Sequence, residues 1–545
     1  MVTLQGKLKR MKFLRYFSFL LLLTLVLFTN CAKRGTITGG PKDTLAPVIL
    51  STLPENFSTS FNKKEIQINF DEYVKLNKVN QQLIISPPME TQPEIIPMGY
   101  PSKFIKIKIF DTLKANTTYS FNFGESIQDN NEGNPYTNYK YVFSTGTYID
   151  SLKASVTYKD AYSRKTSGLV NVLLYEATDF TDSTIYKKKP LYVASSRDSI
   201  TSVDLENLKN GSYYLVALQE KSSNYRFDPK SDKIGFHPTP ITLPTDSIFS
   251  LKLFQEEKPA TAYRPSMVSQ NKWLAGFEGD VKKLQLTVSG NNQPIASYFV
   301  KVPDKDSIYV FTPMAQYDSL QFRFKADTYE KTHTVTQRNV KLIDTLQVKF
   351  TKSGTIQYRD TVAFTTNTPV KTIDKNLIQL IGKDSLQIPF DLKSDSINNT
   401  VKVLFDKTEE EKYTLFLKPN SVTDFYDNSL KTELIQRFQT NKLTDYGNIS
   451  FTLEGSVNYP IIFELLNKDE KLYDYLYLTG DSTIEFRAIE PAKYFVRIIE
   501  DANGNQKWDT GNYLEKRQPE NVIWFQKEFD IRANWELNET LVVPN

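Results

Sequence analysis

Short segments that alternate apolar and polar residues run along the chain from Pro47 onward, and they commit it to pleated structure. Residues 65–70 (EIQINF), 83–86, 104–110 (FIKIKIF) and 119–123 (YSFNF) each repeat with a period of two. That period puts successive side chains on opposite faces of a strand. Turn-forming residues bound the segments, among them Pro87, Pro88, Pro97, Gly99, Pro101 and Asn116. Strands this short and this regularly spaced, with no helical stripe, predict antiparallel sandwiches. Composition agrees, because aromatic residues make up 13% of the chain, with 31 Tyr and 35 Phe.

The second constraint is covalent. Cys31 is the single cysteine in 545 residues, so no disulfide can staple a domain and each must be held by its own core. Cys31 stands at the end of an apolar run, residues 19–28, preceded by Lys7, Lys9, Arg10, Lys12 and Arg15. Counted from Tyr16 the run is about 13 residues, or roughly 20 Å as helix, against about 30 Å for a bilayer core. It reads as an export signal and not a membrane span. A lone thiol at the mouth of such a signal is where a bacterial lipoprotein is acylated and cleaved, so a lipid anchor on Cys31 is expected. Residues 32–46 (AKRGTITGGPKDTLA) hold three glycines and little apolar mass, a flexible tether of about 20 Å as coil.

Pro47-Val48-Ile49, Leu53-Pro54, residues 68–74 (INFDEYV) and the closing Tyr141-Val142-Phe143-Ser144-Thr145-Gly146 resemble the bacterial Ig-like domains of surface-layer proteins over roughly residues 46–147. Together with Cys31 and the Gly-Gly-Pro-Lys-Asp tether, the chain resembles the Ig-like-domain lipoproteins of Bacteroidota. Residues 170–175 (VNVLLY), residues 213–218 (YYLVAL) and the turn Asn210-Gly211 resemble a small transthyretin-like or carboxypeptidase-regulatory-type sandwich. Two motifs then recur in order. Residues 220–228 (EKSSNYRFD) align without a gap with 501–509 (DANGNQKWD), and Ser126-Ile127-Gln128-Asp129 aligns with Ser421-Val422-Thr423-Asp424. Asp198-Ser199-Ile200 likewise parallels Asp481-Ser482-Thr483-Ile484.

The fold expected is all-β: tandem β-sandwiches in which Ig-like domains alternate with small transthyretin-like ones. The partition is signal peptide 1–31, tether 32–46, Ig-like 47–148, small sandwich 149–255, a middle β domain 256–349, Ig-like 350–443 and small sandwich 444–545.

Chemistry is sparse. Asp501, Asn503, Asn505 and Asp509 stand at positions one, three, five and nine of an oxygen-ligand loop for Ca²⁺, but the bidentate Glu expected at position twelve is Asn512. The competing reading is a turn in which these side chains bond their own backbone. His237 and His333 are the only histidines and neither accompanies a nucleophile motif; no phosphate loop or dinucleotide fingerprint occurs. Trp508, Tyr513, Trp524, Phe525 and Trp535 crowd the last 40 residues, as interface anchors or as core, with Trp535 expected in the core. Net charge is +4 and the charges are interspersed, which gives no basic stripe for nucleic acid. The expectation is a non-catalytic outer-membrane lipoprotein that binds or scaffolds an envelope protein complex, with a β-barrel partner. The alternative is a glycan-binding or adhesive surface protein.

Overall fold

The computed structural model describes residues 43–196, 201–338, 340–480 and 483–544; the export signal, Cys31 and all but the last four residues of the tether lie outside them. So do most of the residues of the repeat seen around Asp198 and Asp481. Nearly all regular structure is strand. Two compact units divide the chain near Thr147.

In the first unit, the sheet order is Ile49–Leu53, Glu65–Leu76, Ser102–Lys108, Glu94–Ile96, with Ile127–Asp129 also pairing on the long strand. Alternation decides the faces. Ile66, Ile68 and Phe70 point inward beside Ile105 and Ile107, and all are at most 2% exposed. The same period turns Phe104 and Phe110 outward with Lys106 and Lys108. Thr118–Asn122 pairs with Lys140–Ser144 and contributes Phe121 and Phe143 to the core, where Phe61 stacks on Phe143 at 3.9 Å between ring centroids.

Among the described residues, the second unit holds four large hydrophobic cores, each drawn from one continuous stretch of sequence: residues 154–253, 262–335, 356–438 and 449–543. The core of 262–335 is built on Trp273, Phe277, Phe322 and Phe324, all buried between two sheets. The first and last cores share one topology. In the first, Leu152–Asp160 lies between Ser202–Leu208, antiparallel, and Ile248–Leu253, parallel. In the last, Gly447–Glu454 lies between Ile484–Ile489, antiparallel, and Glu536–Val542, parallel. The opposing sheets match as well, with orders Tyr192–Ser196, Val170–Glu176, Gly211–Gln219, Lys233–Phe236 and Leu472–Leu478, Ile461–Asn467, Ala492–Glu500, Val522–Trp524. Trp535 is not core. It ends the turn before Glu536–Val542, is 52% exposed, and carries the Arg532 guanidinium 5.0 Å from its ring centroid. Alternation was read one residue too early there.

The Ser126–Asp129 and Ser421–Asp424 motifs do the same work in both copies. Asp129 is buried and its carboxylate accepts from the backbone N–H groups of Glu132, Gly133 and Asn134 at 2.6–3.1 Å. Asp424, also buried, accepts from the N–H groups of Tyr426 and Asn428 and from the Thr368 hydroxyl at 2.8–2.9 Å. Each short strand pairs with its counterpart, Val74 opposite Asp129 and Val370 opposite Asp424. The aspartate folds the chain back by collecting amide donors that the turn would otherwise bury unpaired. Burial alone would raise the Asp129 carboxyl, but the N–H groups of Asn134, Glu132 and Gly133 outweigh it and hold the group below the usual range. An unfolded aspartate takes its proton near pH 4, so the stabilisation is present above about pH 4 and is lost as the pH falls through the lower folded value. Asp129→Ala is expected to cost about 2–4 kcal/mol at neutral pH in denaturant melts. The difference from wild type should shrink on acidification below about pH 4.

Candidate functional site

In the sheet of 461–524 the central strands Ile461–Asn467 and Ala492–Glu500 are buried on both faces over most of their length, and the outer face leads to the most constructed site among the described residues. Two cross-strand rows cover that face, Tyr475–Glu464–Arg497–Trp524 and Tyr477–Ile462–Ile499–Val522. A loop of the first small sandwich, residues 160–167, lies across them. Tyr162 packs on Ile462, Ile499, Val522, Trp508 and Trp524, with its ring centroid 4.7 Å from that of Trp508. The Trp524 indole N–H donates to the Tyr162 carbonyl at 2.9 Å. Arg497 lies 3.8 Å from the Tyr162 ring centroid and donates to both the Glu464 carboxylate and the Tyr162 hydroxyl. Arg497 and Glu464 are 5% and 9% exposed. A pair so buried loses its hydration, and the loss is tolerable because the remaining guanidinium N–H groups also find partners. Burial pushes the Tyr162 phenol up while Arg497 opposes it. One turn further on, Arg164 pairs with Glu470 at 3.0 Å and lies over the Phe495 ring at 3.9 Å.

The last sandwich returns the contact. Its loop 509–518 lies on the first sandwich, with Tyr513 edge-on to Phe236 at 5.3 Å and the Tyr513 N–H donating to the Glu256 carboxylate at 2.6 Å. Thr510 donates to the Gln255 carbonyl at 2.6 Å, Gln518 to the Phe236 carbonyl at 3.0 Å, and Lys516 pairs with Asp182 at 2.6 Å. Gly511 permits the approach, because a Cβ there would stand 2.5 Å from the Phe254 ring. The two copies of the repeat therefore clasp each other by exchanged loops.

This arrangement settles the crowd of C-terminal aromatics. Phe525 is core, whereas Trp508, Tyr513 and Trp524 are anchors of an interface internal to the chain. Runs such as residues 461–466 (IIFELL), buried at every position, were the available sign that something covers the outer face.

The loop of Asp501, Asn503, Asn505 and Asp509 does bring these four side chains together. The Asp501 carboxylate accepts from the N–H groups of Asn505 and Gln506 at 3.1 and 2.8 Å. Asp509 accepts the amide groups of Asn503 and Asn505, which together hold its carboxyl below the usual range against the effect of burial. The earlier copy closes identically. Glu220 accepts from the N–H groups of Asn224 and Tyr225 at 2.8–3.0 Å, and the fifth residue after the acid has positive φ in both, Tyr225 at 59° and Gln506 at 63°. Ser222 replaces an Asn there, so closure does not depend on a full ligand set. Among the described residues, no group of three or more His, Cys, Asp or Glu is placed to hold a metal ion. His237 and His333 face backbone carbonyls, of Thr239 at 2.7 Å and Ala262 at 3.0 Å.

Comparison with known proteins identifies residues 43–145 as a bacterial Ig-like domain. No curated protein matches the chain. Among solved structures, it is similar to domains 1–6 of the surface layer protein SbsC, at 11% identity over 89% of this chain and 67% of that one, with a TM-score of 0.15. The TIE protein of Bacillus anthracis matches at 9% identity over 93% and 76%, with a TM-score of 0.15. BcpA, the major pilin subunit of Bacillus cereus, matches at 11% over 72% and 100%, with a TM-score of 0.14. Superpositions this weak say nothing of role.

Two outcomes are expected. Arg497→Ala, which strands Glu464 in the interface, should cost about 3–5 kcal/mol in urea unfolding, while Arg497→Met with Glu464→Leu should cost far less. Calorimetric titration with Ca²⁺ should be flat, since the loop's oxygens already serve N–H donors; binding heat with a raised Tm would instead make Asp501, Asn503, Asn505 and Asp509 ligands.

Proposed function

We propose that this chain is a non-catalytic lipoprotein, anchored to the outer membrane through Cys31, that serves as a scaffold: an accessory subunit of an outer-membrane protein complex handling protein assembly or export. The observation that carries the reading is fixed spacing among the modules of residues 148–545. The exchanged loops join the two small sandwiches. Tyr426 of the second Ig-like region donates to the Asn271 carbonyl at 3.0 Å, Phe425 meets Tyr298 edge-on at 5.0 Å, and the Lys301 N–H reaches the Ile397 carbonyl at 2.8 Å. Arg359 pairs with Asp474 and donates to the Arg487 carbonyl. A body tied at so many points holds its surfaces in one mutual arrangement, which suits presenting partners to one another and does not suit a string of independent modules. The bacterial Ig-like match at 43–145 supports an envelope setting.

An adhesive or glycan-binding role needs an open aromatic platform. Trp508, Tyr513 and Trp524 are occupied between the sandwiches, which favours the scaffold reading over that alternative.

The test takes the wild type and Cys31→Ser. The variant should leave the membrane fraction as a folded protein, because one cysteine bears the acyl chains, each stabilised by about 0.8 kcal/mol per buried CH₂. Mild solubilisation of the wild type followed by affinity purification should recover a β-barrel protein in stoichiometric amount. A membrane-retained variant overturns the anchor, and a solitary protein that binds polysaccharide overturns the scaffold.

A further inference from the structure

Beside the exchanged loops, three side chains from the two sandwiches meet in an order that has chemical meaning. Lys252, on the strand Ile248–Leu253, places Nζ 3.0 Å from Oδ1 of Asn521. Asn521, just ahead of Val522–Trp524, donates its Nδ2 to Oε2 of Glu500 at 3.0 Å. Glu500 ends the neighbouring strand Ala492–Glu500, and its N–H donates to the Asn521 carbonyl at 3.0 Å, so acid and amide are held in register by backbone. The other carboxylate oxygen is fixed by the Asn458 N–H and side-chain amide at 2.9 and 3.1 Å.

Lys252 is an unusual lysine for this molecule. It is half-buried, and no carboxylate lies within ion-pair distance of its Nζ among the described residues. Its polar partner is instead an uncharged amide. Across the parallel strand pair it faces Lys159. Burial lowers its pKa and Lys159 lowers it further, against the opposing pull of Glu500. A lysine so placed holds a larger share of the free amine, which is the nucleophile.

We propose that Lys252 and Asn521 are joined by an isopeptide bond formed by the protein itself, with Glu500 as the acid–base residue. The neutral Nζ attacks Cγ of Asn521, and the carbonyl π electrons move onto Oδ1 to give a tetrahedral centre. Glu500 takes a proton from the attacking nitrogen and returns it to Nδ2, to which it is already hydrogen-bonded. As the oxyanion collapses, the Cγ–Nδ2 bond breaks and ammonia leaves, so one amide replaces another and no oxidant, metal or nucleotide is consumed. The product is a covalent tie between the two small sandwiches across 269 residues of sequence. It stands where the two sandwiches are already in contact, so only side chains need to move for Nζ to close on Cγ and come within reach of Glu500.

Mass spectrometry of the folded full chain decides. After digestion, the wild type is expected to yield a branched peptide joining the segments that carry Lys252 and Asn521, lighter than their sum by one ammonia, about 17 Da. Glu500→Gln keeps the shape of the hydrogen-bonded group but removes the proton carrier, and it should yield the two peptides separately from a protein that still folds by circular dichroism. Asn521→Ala should do the same. Unlinked Lys252 and Asn521 in folded wild-type protein would overturn the proposal, and a link that persists undiminished in Glu500→Gln would overturn the role of Glu500.

Discussion

Among the described residues, two sheets each have a central strand buried on both sides, and covering their outer faces is the constraint from which the rest of the second unit follows. An antiparallel sandwich ordinarily spends one face of each sheet on its core and leaves the other to water. Here residues 170–175 and 461–466 are buried at every position, so each sandwich carries a second face that must be covered. The duplicated partner supplies part of the cover. Because the two copies are bound to different neighbours in sequence, satisfying their mutual need also draws the intervening modules into one connected body.

The polar content of that contact is what gives it one arrangement. Apolar faces slide; a guanidinium enclosed by Glu464, Tyr162 and Trp524 does not. Each nitrogen of the Arg497 guanidinium has an acceptor in one geometry, and displacement leaves a buried charge without them. The role of the ion pair is thus registration, while the area buried around Tyr162, Ile462 and Ile499 supplies the attraction. Gly511 serves from the other side, where anything larger than hydrogen would hold the loop off Phe254.

Much of this was legible beforehand, for a physical reason. Period-two alternation is a local signal, and it located strands such as Glu65–Leu76 and Ser102–Lys108 and their inward faces. The aligned loops at 220 and 501 announced a duplication whose two copies prove alike in topology, in hydrogen bonding and in backbone sign. What alternation cannot report is which strand lies against which module. Tyr162 and Arg497 are 335 residues apart, and nothing near either residue in sequence names the other. The aromatic-rich C-terminal segment therefore divided between core and surface without a basis for choosing, and Trp535 was assigned to the wrong side. The oxygen-rich loop is open to two readings for a related reason. Asp and Asn at alternate positions suit both a hard cation and a turn that binds its own amides, and composition does not separate the two.

The parallel strand Glu536–Val542, which pairs along the whole of Gly447–Glu454, sets a timetable. A polypeptide emerging from its N-terminus presents the first small sandwich complete by Leu253, yet the loop that covers that sandwich arrives only with residues 509–518. Its unprotected face must persist while some 250 residues follow, and the last sheet cannot close before residue 542 has been supplied. For a chain that folds as it emerges, that interval is a period of exposed strand and aromatic surface, the state in which misassembly competes with folding.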